Sequence, residues 1–146
     1  MALRDATLSG SVTVEAGGGL LVDSSVITGS VTASRATAFD ICASRIGTDV
    51  TVKDSDAFVR IGEPSTGCAG NTIGGKVVLE HDRYGVSFSD NTVGSDVHFT
   101  ENIGATALVV SGNVVSGELG GTGNGAITNA GSPNTAIRKT GDFAGL

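Results

Sequence analysis

The sequence predicts an all-β fold, a single-stranded parallel β-helix of about six coils, each holding three short strands. Three observations carry that prediction: a composition that disfavours helices, an apolar motif recurring at one coil's length, and columns that stay apolar when the copies are stacked. Of 146 residues, 23 are Gly, and only 16% are charged, while 39% are hydrophobic. Val, Thr, Ser, Gly and Asn dominate, and they favour strands and tight turns. The apolar share suffices for a sizeable core in one domain. A formal charge of −6 and a pI near 4.6 argue against nucleic acid as a partner, because phosphate backbones are bound by Lys and Arg.

Nothing approaches the roughly 18 consecutive apolar residues of a membrane helix, so no membrane insertion is expected. The opening Met1-Ala2-Leu3-Arg4-Asp5 lacks the apolar run of a signal peptide. An apolar strand follows so soon that the chain reads as a mature fragment or an excised domain of a longer protein.

The coils can be taken in order. TLSGSVTV places Leu8, Val12 and Val14 at inward positions, and SVITGSVTA places Ile27, Val31 and Ala33 there. SRIGTDVTV supplies Ile46, Val50 and Val52, and NTIGGKVVL supplies Ile73, Val77 and Leu79. NTVGSDVHF gives Val93, Val97 and Phe99, and NVVSGELGG gives Val115 and Leu119. The leading residues are separated by 19, 19, 27, 20 and 22 positions. A further alternating pair follows each of the first five units: Leu20/Val22, Phe39/Ile41, Val59/Ile61, Val86/Phe88 and Leu108/Val110. Strands this short cannot bury an apolar side alone, so stacking at about 4.8 Å per coil is the economical solution.

Two positions before the leading residues stand Ser25, Ser44, Asn71, Asn91 and Asn113, which predicts a polar ladder at one corner. Insertions interrupt the repeat at Gly62–Gly70 and Thr100–Ala107, and loops are where solenoids carry function. The pattern fades after Ile127, so residues 1–131 are assigned to the β-helix and 132–146 to a C-terminal cap or tail of the same domain. The first coil has an open edge, which invites self-association. Right-handed winding is favoured. Ile46, Val52 and Phe58 echo the six-residue spacing of left-handed hexapeptide helices, but coils of 19 to 27 residues fit that scheme poorly.

NTIGGKVVL, NTVGSDVHF, GNVVSGEL and the tail SPNTAIRKTGDFAGL resemble the N-T-V-G-G-N-type repeats of exported actinobacterial proteins of unknown function. The resemblance covers roughly residues 70–146 well and the earlier coils only in pattern. It implies a β-helix and an extracellular or cell-surface location, and it supplies no activity. Many members carry a Cys in the last repeat and another near the C-terminus; here Gly120-Gly121 and Asp142-Phe143 stand in those neighbourhoods.

The chemistry-bearing residues admit two readings. Asp54, Asp56, Glu80, Asp82 and Arg83 fall in turns of successive coils, where a polysaccharide lyase or glycoside hydrolase of the pectate-lyase-like type would keep acidic groups with Arg or Lys. The plainer account stacks opposite charges between coils: Asp49, Lys76 and Asp96 in one row, Lys53 over Glu80, and Asp40 over Arg60. It makes the chain a non-catalytic scaffold or interaction module whose partner is a polysaccharide or surface glycan, with His81, Arg83, His98 and Glu101 as candidate ligand-binding residues. No cofactor is expected, nor a metal, because zinc and calcium ligand spacings are lacking. The Gly17-Gly18-Gly19 loop lacks the partners of a phosphate-binding loop. Outward Thr13, Thr32 and Thr51 resemble an ice-binding row, which Val78 and His98 interrupt. Cys42 and Cys68 lie at matching points of neighbouring coils, within reach of a disulfide; two free thiols are the alternative.

Overall fold

Alternating apolar residues on short strands, all but the last long pair of two to five residues, leave one side of each strand needing cover, and parallel stacking supplies it. A computed structural model describes residues 1–146 as a β-solenoid whose sheets are built from parallel pairs. The first coil is β1 (Ala2–Arg4), β2 (Thr7–Leu8) and β3 (Val12–Val14). The second is β4 (Gly19–Asp23), β5 (Val26–Ile27) and β6 (Val31–Ser34), and the third β7 (Ala38–Cys42), β8 (Arg45–Ile46) and β9 (Val50–Lys53). The fourth is β10 (Val59–Ile61), β11 (Thr72–Ile73) and β12 (Val77–Glu80), and the fifth β13 (Val86–Ser89), β14 (Thr92–Val93) and β15 (Val97–Thr100). In the sixth, β16 (Leu108–Ser111) leads into one long strand, β17 (Val114–Thr122), which joins the second and third faces. The seventh is β18 (Ile127–Thr128) and β19 (Thr135–Gly141).

The chain therefore makes seven turns where the repeat suggests about six. The sequence count begins at Leu8 and stops at Leu119, but β1 pairs in register with β4, and β19 pairs in parallel with β17. These terminal strands escape the pattern because Leu3, Ile127 and Ala136, their inward residues, are only partly buried. A strand covered on one edge tolerates a weaker apolar signal than one stacked between two neighbours.

The stacked columns fall in register. Ile46, Ile73 and Val93 align on the second face, and Val50, Val77 and Val97 on the third. At the C-terminal end the third-face column runs Leu79, Phe99, Gly121. A side chain at Gly121 would place its Cβ 2.8 Å from Phe143 Cε2, so the glycine leaves space that the Phe143 ring fills. Phe143 is fully buried and meets Phe99 edge-on at 5.4 Å, as Phe88 does at 5.8 Å. The last aromatic thus plugs the core from below.

Two of the expected charge stacks are ion pairs: Lys53 with Glu80 at 3.0 Å, and Arg60 with Asp40, also at 3.0 Å. The Asp49–Lys76–Asp96 row is different. Asp49 Oδ1 accepts the backbone N–H of Lys76 at 2.9 Å, and Asp96 Oδ1 accepts that of Glu118 at 2.8 Å. These carboxylates cap backbone donors of the next coil instead of pairing with the lysine.

The insertion after β10 folds back on itself. Glu63 and Cys68 exchange backbone hydrogen bonds across a short 3-10 turn at Pro64–Thr66, and Cys68 is disulfide-bonded to Cys42 with Cα atoms 4.8 Å apart. The bond ties residues 26 apart in sequence. By chain-entropy reasoning, replacing both cysteines with serine lowers stability by about 3 kcal/mol. Urea unfolding of the double variant checks this, and an unchanged midpoint would contradict it.

Candidate functional site

The corner joining the third face to the first is built from backbone conformation upward. Arg35, Asp54, His81 and Glu101 occupy it on successive coils with φ of 51°, 52°, 55° and 51°, the left-handed region. The chain turns there, and the next residue points inward. Those next residues are Ala36, Ser55, Asp82 and Asn102, all buried, and the sequence continues the row with Asn124. They form a second polar ladder that sequence reading does not find. Asp82 N–H donates to Asn102 Oδ1 at 3.0 Å, and Asn102 N–H to Asn124 Oδ1 at 2.9 Å. The signal was present as Asp82, Asn102 and Asn124, spaced 20 and 22 apart. It was obscured because its earlier rungs are Ala and Ser, and because Asp82 sits between His81 and Arg83 as though in a solvated charge run.

The first ladder lies at the opposite end of the first face. Ser25, Ser44, Asn71, Asn91 and Asn113 are buried there, and Asn134 adds one more rung. Ser44 N–H donates to Asn71 Oδ1 at 2.8 Å, Asn71 N–H to Asn91 Oδ1 at 2.9 Å, and Asn91 N–H to Asn113 Oδ1 at 2.9 Å.

Outside the second ladder the corner is ionic. His81 Nε2 lies 3.1 Å from Glu101 Oε2, and its Nδ1 lies 4.0 Å from Asp54 Oδ1. Arg83 is exposed and makes no ion pair or side-chain hydrogen bond. Beside it stands a feature the sequence reading passed over. Four of the six aromatic side chains, Phe39, Phe88, Phe99 and Phe143, are fully buried, but Phe58 is 42% and Tyr84 60% exposed on adjacent coils. Ile103 extends the exposed strip to the next coil at 48%. The three segments are stacked by backbone bonds, Gly85 N–H to Ile103 O at 3.0 Å and Val59 N–H to Gly85 O at 3.0 Å. Gly85 lets the Phe58 ring lie against the backbone, since a Cβ there would come 2.9 Å from Phe58 Cδ2.

The candidate catalytic residues do not converge. Asp82 is fully buried in the ladder, so it lines no solvent cleft with Asp54 and Asp56. Burial pushes its carboxyl from 3.8 up to about 7. The Ser55 N–H opposes that rise, and the like charges of Asp54 and Glu80 support it. Glu80 is held by Lys53, and no hollow of the surface opens over Asp54, Asp56, Glu80 or Arg83. His98 stands apart from the other ligand candidates, on the outer side of β15 next to Gly120. Near it Arg138 donates to Glu118 and holds that carboxyl below the usual range, with a bond from Thr140 adding to the effect. No three His, Cys, Asp or Glu side chains gather in a way that could hold a metal ion.

A hollow of about 150 Å³ lies on the first face against the disulfide, between Arg4, Leu21, Asp23 and the Arg60–Asp40 pair. Arg60 already donates to both Asp40 oxygens, at 3.0 and 3.1 Å, so of the two arginines at this hollow Arg60 is satisfied and Arg4 is unpaired. The exposed rings belong to the corner, and there they stand beside the unpaired Arg83.

Fold and corner together define a three-faced parallel β-solenoid with an aromatic and ionic strip along one edge. No protein-family model matches the chain, and neither a curated protein nor a solved structure matches it.

Proposed function

We propose that this chain is a non-catalytic, exported interaction module that binds carbohydrate chains along the corner carrying Phe58, Tyr84, Arg83, His81 and Glu101. One observation carries the reading: the two aromatic side chains left out of the core are exposed on adjacent coils beside an unpaired arginine. A sugar ring offers apolar C–H faces and equatorial hydroxyls, so it suits a site that combines aromatic surface with charged hydrogen-bonding groups. The coil repeat of about 4.8 Å presents those groups in series, as a polymer needs. A Cys42–Cys68 disulfide fits an oxidising compartment and supports export. Absence of a cleft around the acidic residues favours binding over bond cleavage, since glycosidic hydrolysis places two carboxyl groups across the scissile bond.

Retention on a panel of immobilised neutral and acidic polysaccharides tests the reading. Wild-type protein is expected to be retained by at least one member, and Tyr84→Ala or Arg83→Ala to weaken that binding about tenfold, the equivalent of about 1.4 kcal/mol. Retention by none, or retention indifferent to both substitutions, overturns the proposal. Turnover that disappears in Asp54→Ala would replace it with the lyase or hydrolase reading.

A further inference from the structure

The second ladder contains one carboxyl where the following rungs have an amide. Asn102 Nδ2 donates to Leu79 O at 2.8 Å and to Asn124 Oδ1 at 3.0 Å. Asn124 Nδ2 donates in the same manner to Phe99 O at 2.8 Å and to Asp142 Oδ2 at 2.8 Å. One coil earlier, Asp82 Oδ1 accepts the Ser55 N–H at 2.8 Å, as an amide oxygen would. Its Oδ2 is buried and has no hydrogen-bond partner. Register places Val52 against Leu79 as Leu79 stands against Phe99, so the groups matching the amide's two acceptors are Val52 O and Asn102 Oδ1. Both accept and neither donates. An ionised carboxylate cannot bond to either, whereas a protonated one has a single O–H that can donate to one of them, where an asparagine donates to both.

The surrounding charges add to the asymmetry. Asp54 and Glu80 bear on the carboxyl as like charges. Lys53 is committed to Glu80, and His81 to Glu101 and Asp54. Asp56 on the preceding coil is exposed, as is the neighbouring Arg83. No cation is in place to neutralise an ionised Asp82.

We propose that Asp82 is a proton-operated latch beneath the binding corner: protonated, it donates one hydrogen bond within the ladder and holds the turn His81–Gly85 in place, and ionised, it releases that turn. The proton leaves to solvent and returns from it, with no other bond made or broken. Arg83 and Tyr84 sit on that turn, so carbohydrate capture is stronger in mildly acidic than in alkaline solution. This consequence rests on the carbohydrate reading, but the latch itself does not.

The experiment follows the Asp82 carboxyl carbon and the backbone amides of the full chain by NMR between pH 4 and 9. Hydrogen exchange of the same amides is corrected for its intrinsic pH dependence. The carboxyl is expected to titrate near neutrality, with exchange across residues 81–85 rising about tenfold over the same interval. Asp82→Asn is expected to abolish that rise, and His81→Gln to leave it intact. A carboxyl that titrates near pH 4, or a turn equally protected throughout, overturns the latch, as does a rise that persists in Asp82→Asn. Binding of whichever polysaccharide the panel retains is then compared at pH 6 and 8. Weaker binding at pH 8 in the wild type but not in Asp82→Asn supports the coupling, and equal binding overturns it. If the panel retains nothing while the exchange transition is present, the carbohydrate reading fails and the latch stands.

Discussion

Asn91→Ala lowers the stability of the solenoid by about 4 kcal/mol, although it deletes only a small polar side chain. Asn91 is buried in the middle of the first ladder. Its Oδ1 accepts from Asn71 N–H at 2.9 Å and Asn71 Nδ2 at 3.0 Å. Its Nδ2 donates to Ile61 O at 2.8 Å and Asn113 Oδ1 at 3.1 Å. Alanine supplies none of these bonds. Asn71 N–H and Ile61 O are then left in the interior without this partner, and each such group costs about 1–3 kcal/mol, with the vacated space adding to the loss. Thr92→Ala, one residue away with an exposed side chain, changes stability by no more than about 0.5 kcal/mol. Urea unfolding of both variants makes the comparison. A loss below about 1 kcal/mol for Asn91→Ala would mean that water or a shifted backbone replaces the missing bonds, and the ladder would not carry the weight assigned to it.

Asp82→Asn changes stability in the opposite direction, and only where the pH is high enough. The native carboxyl holds its proton up to about 7, against an ordinary value of 3.8. Below about pH 4 the native and unfolded chains are both protonated at this group, and the contribution is fully present. Between the two values the unfolded chain releases a proton that the native chain keeps, so stability falls as pH rises; above about 7 both are ionised and the loss is complete. At about 1.36 kcal/mol per pH unit the loss reaches about 4 kcal/mol as a ceiling. Asparagine carries its donor at every pH. The substitution is therefore expected to be nearly neutral at pH 4 and to stabilise by about 2–4 kcal/mol at pH 8. Unfolding curves at the two values decide it, and an equal effect at both, or a loss at pH 8, would refute the assignment.

These two substitutions mark the boundary of what could be read in advance. Inward columns such as Ile46–Ile73–Val93 were legible because a strand's two-residue period and a coil's near-constant length are both properties of the sequence. The first ladder was legible for the same reason: a Ser or Asn recurs at a fixed offset from each leading apolar residue. Asp49 and Asp96 were visible as charges, but their choice of a backbone N–H over Lys76 was not, since a carboxylate serves either role and only the distance to the next coil selects one. Phe58 and Tyr84 were visible as aromatics, and nothing in a one-dimensional pattern distinguishes a ring in the core from a ring at its rim.

The sequence by itself determined the all-β class, the stacking of short strands and the apolar identity of the core, because burial depends on a periodic arrangement that the chain spells out residue by residue. Tertiary structure decided the seventh turn, the second ladder and the character of the corner. The reason is most direct at Glu80-His81-Asp82-Arg83, a run of charges that reads as uniformly solvated. A left-handed backbone at His81 sends Asp82 inward and leaves Arg83 exposed. The two neighbouring charges thereby acquire opposite environments that their order in the chain does not contain.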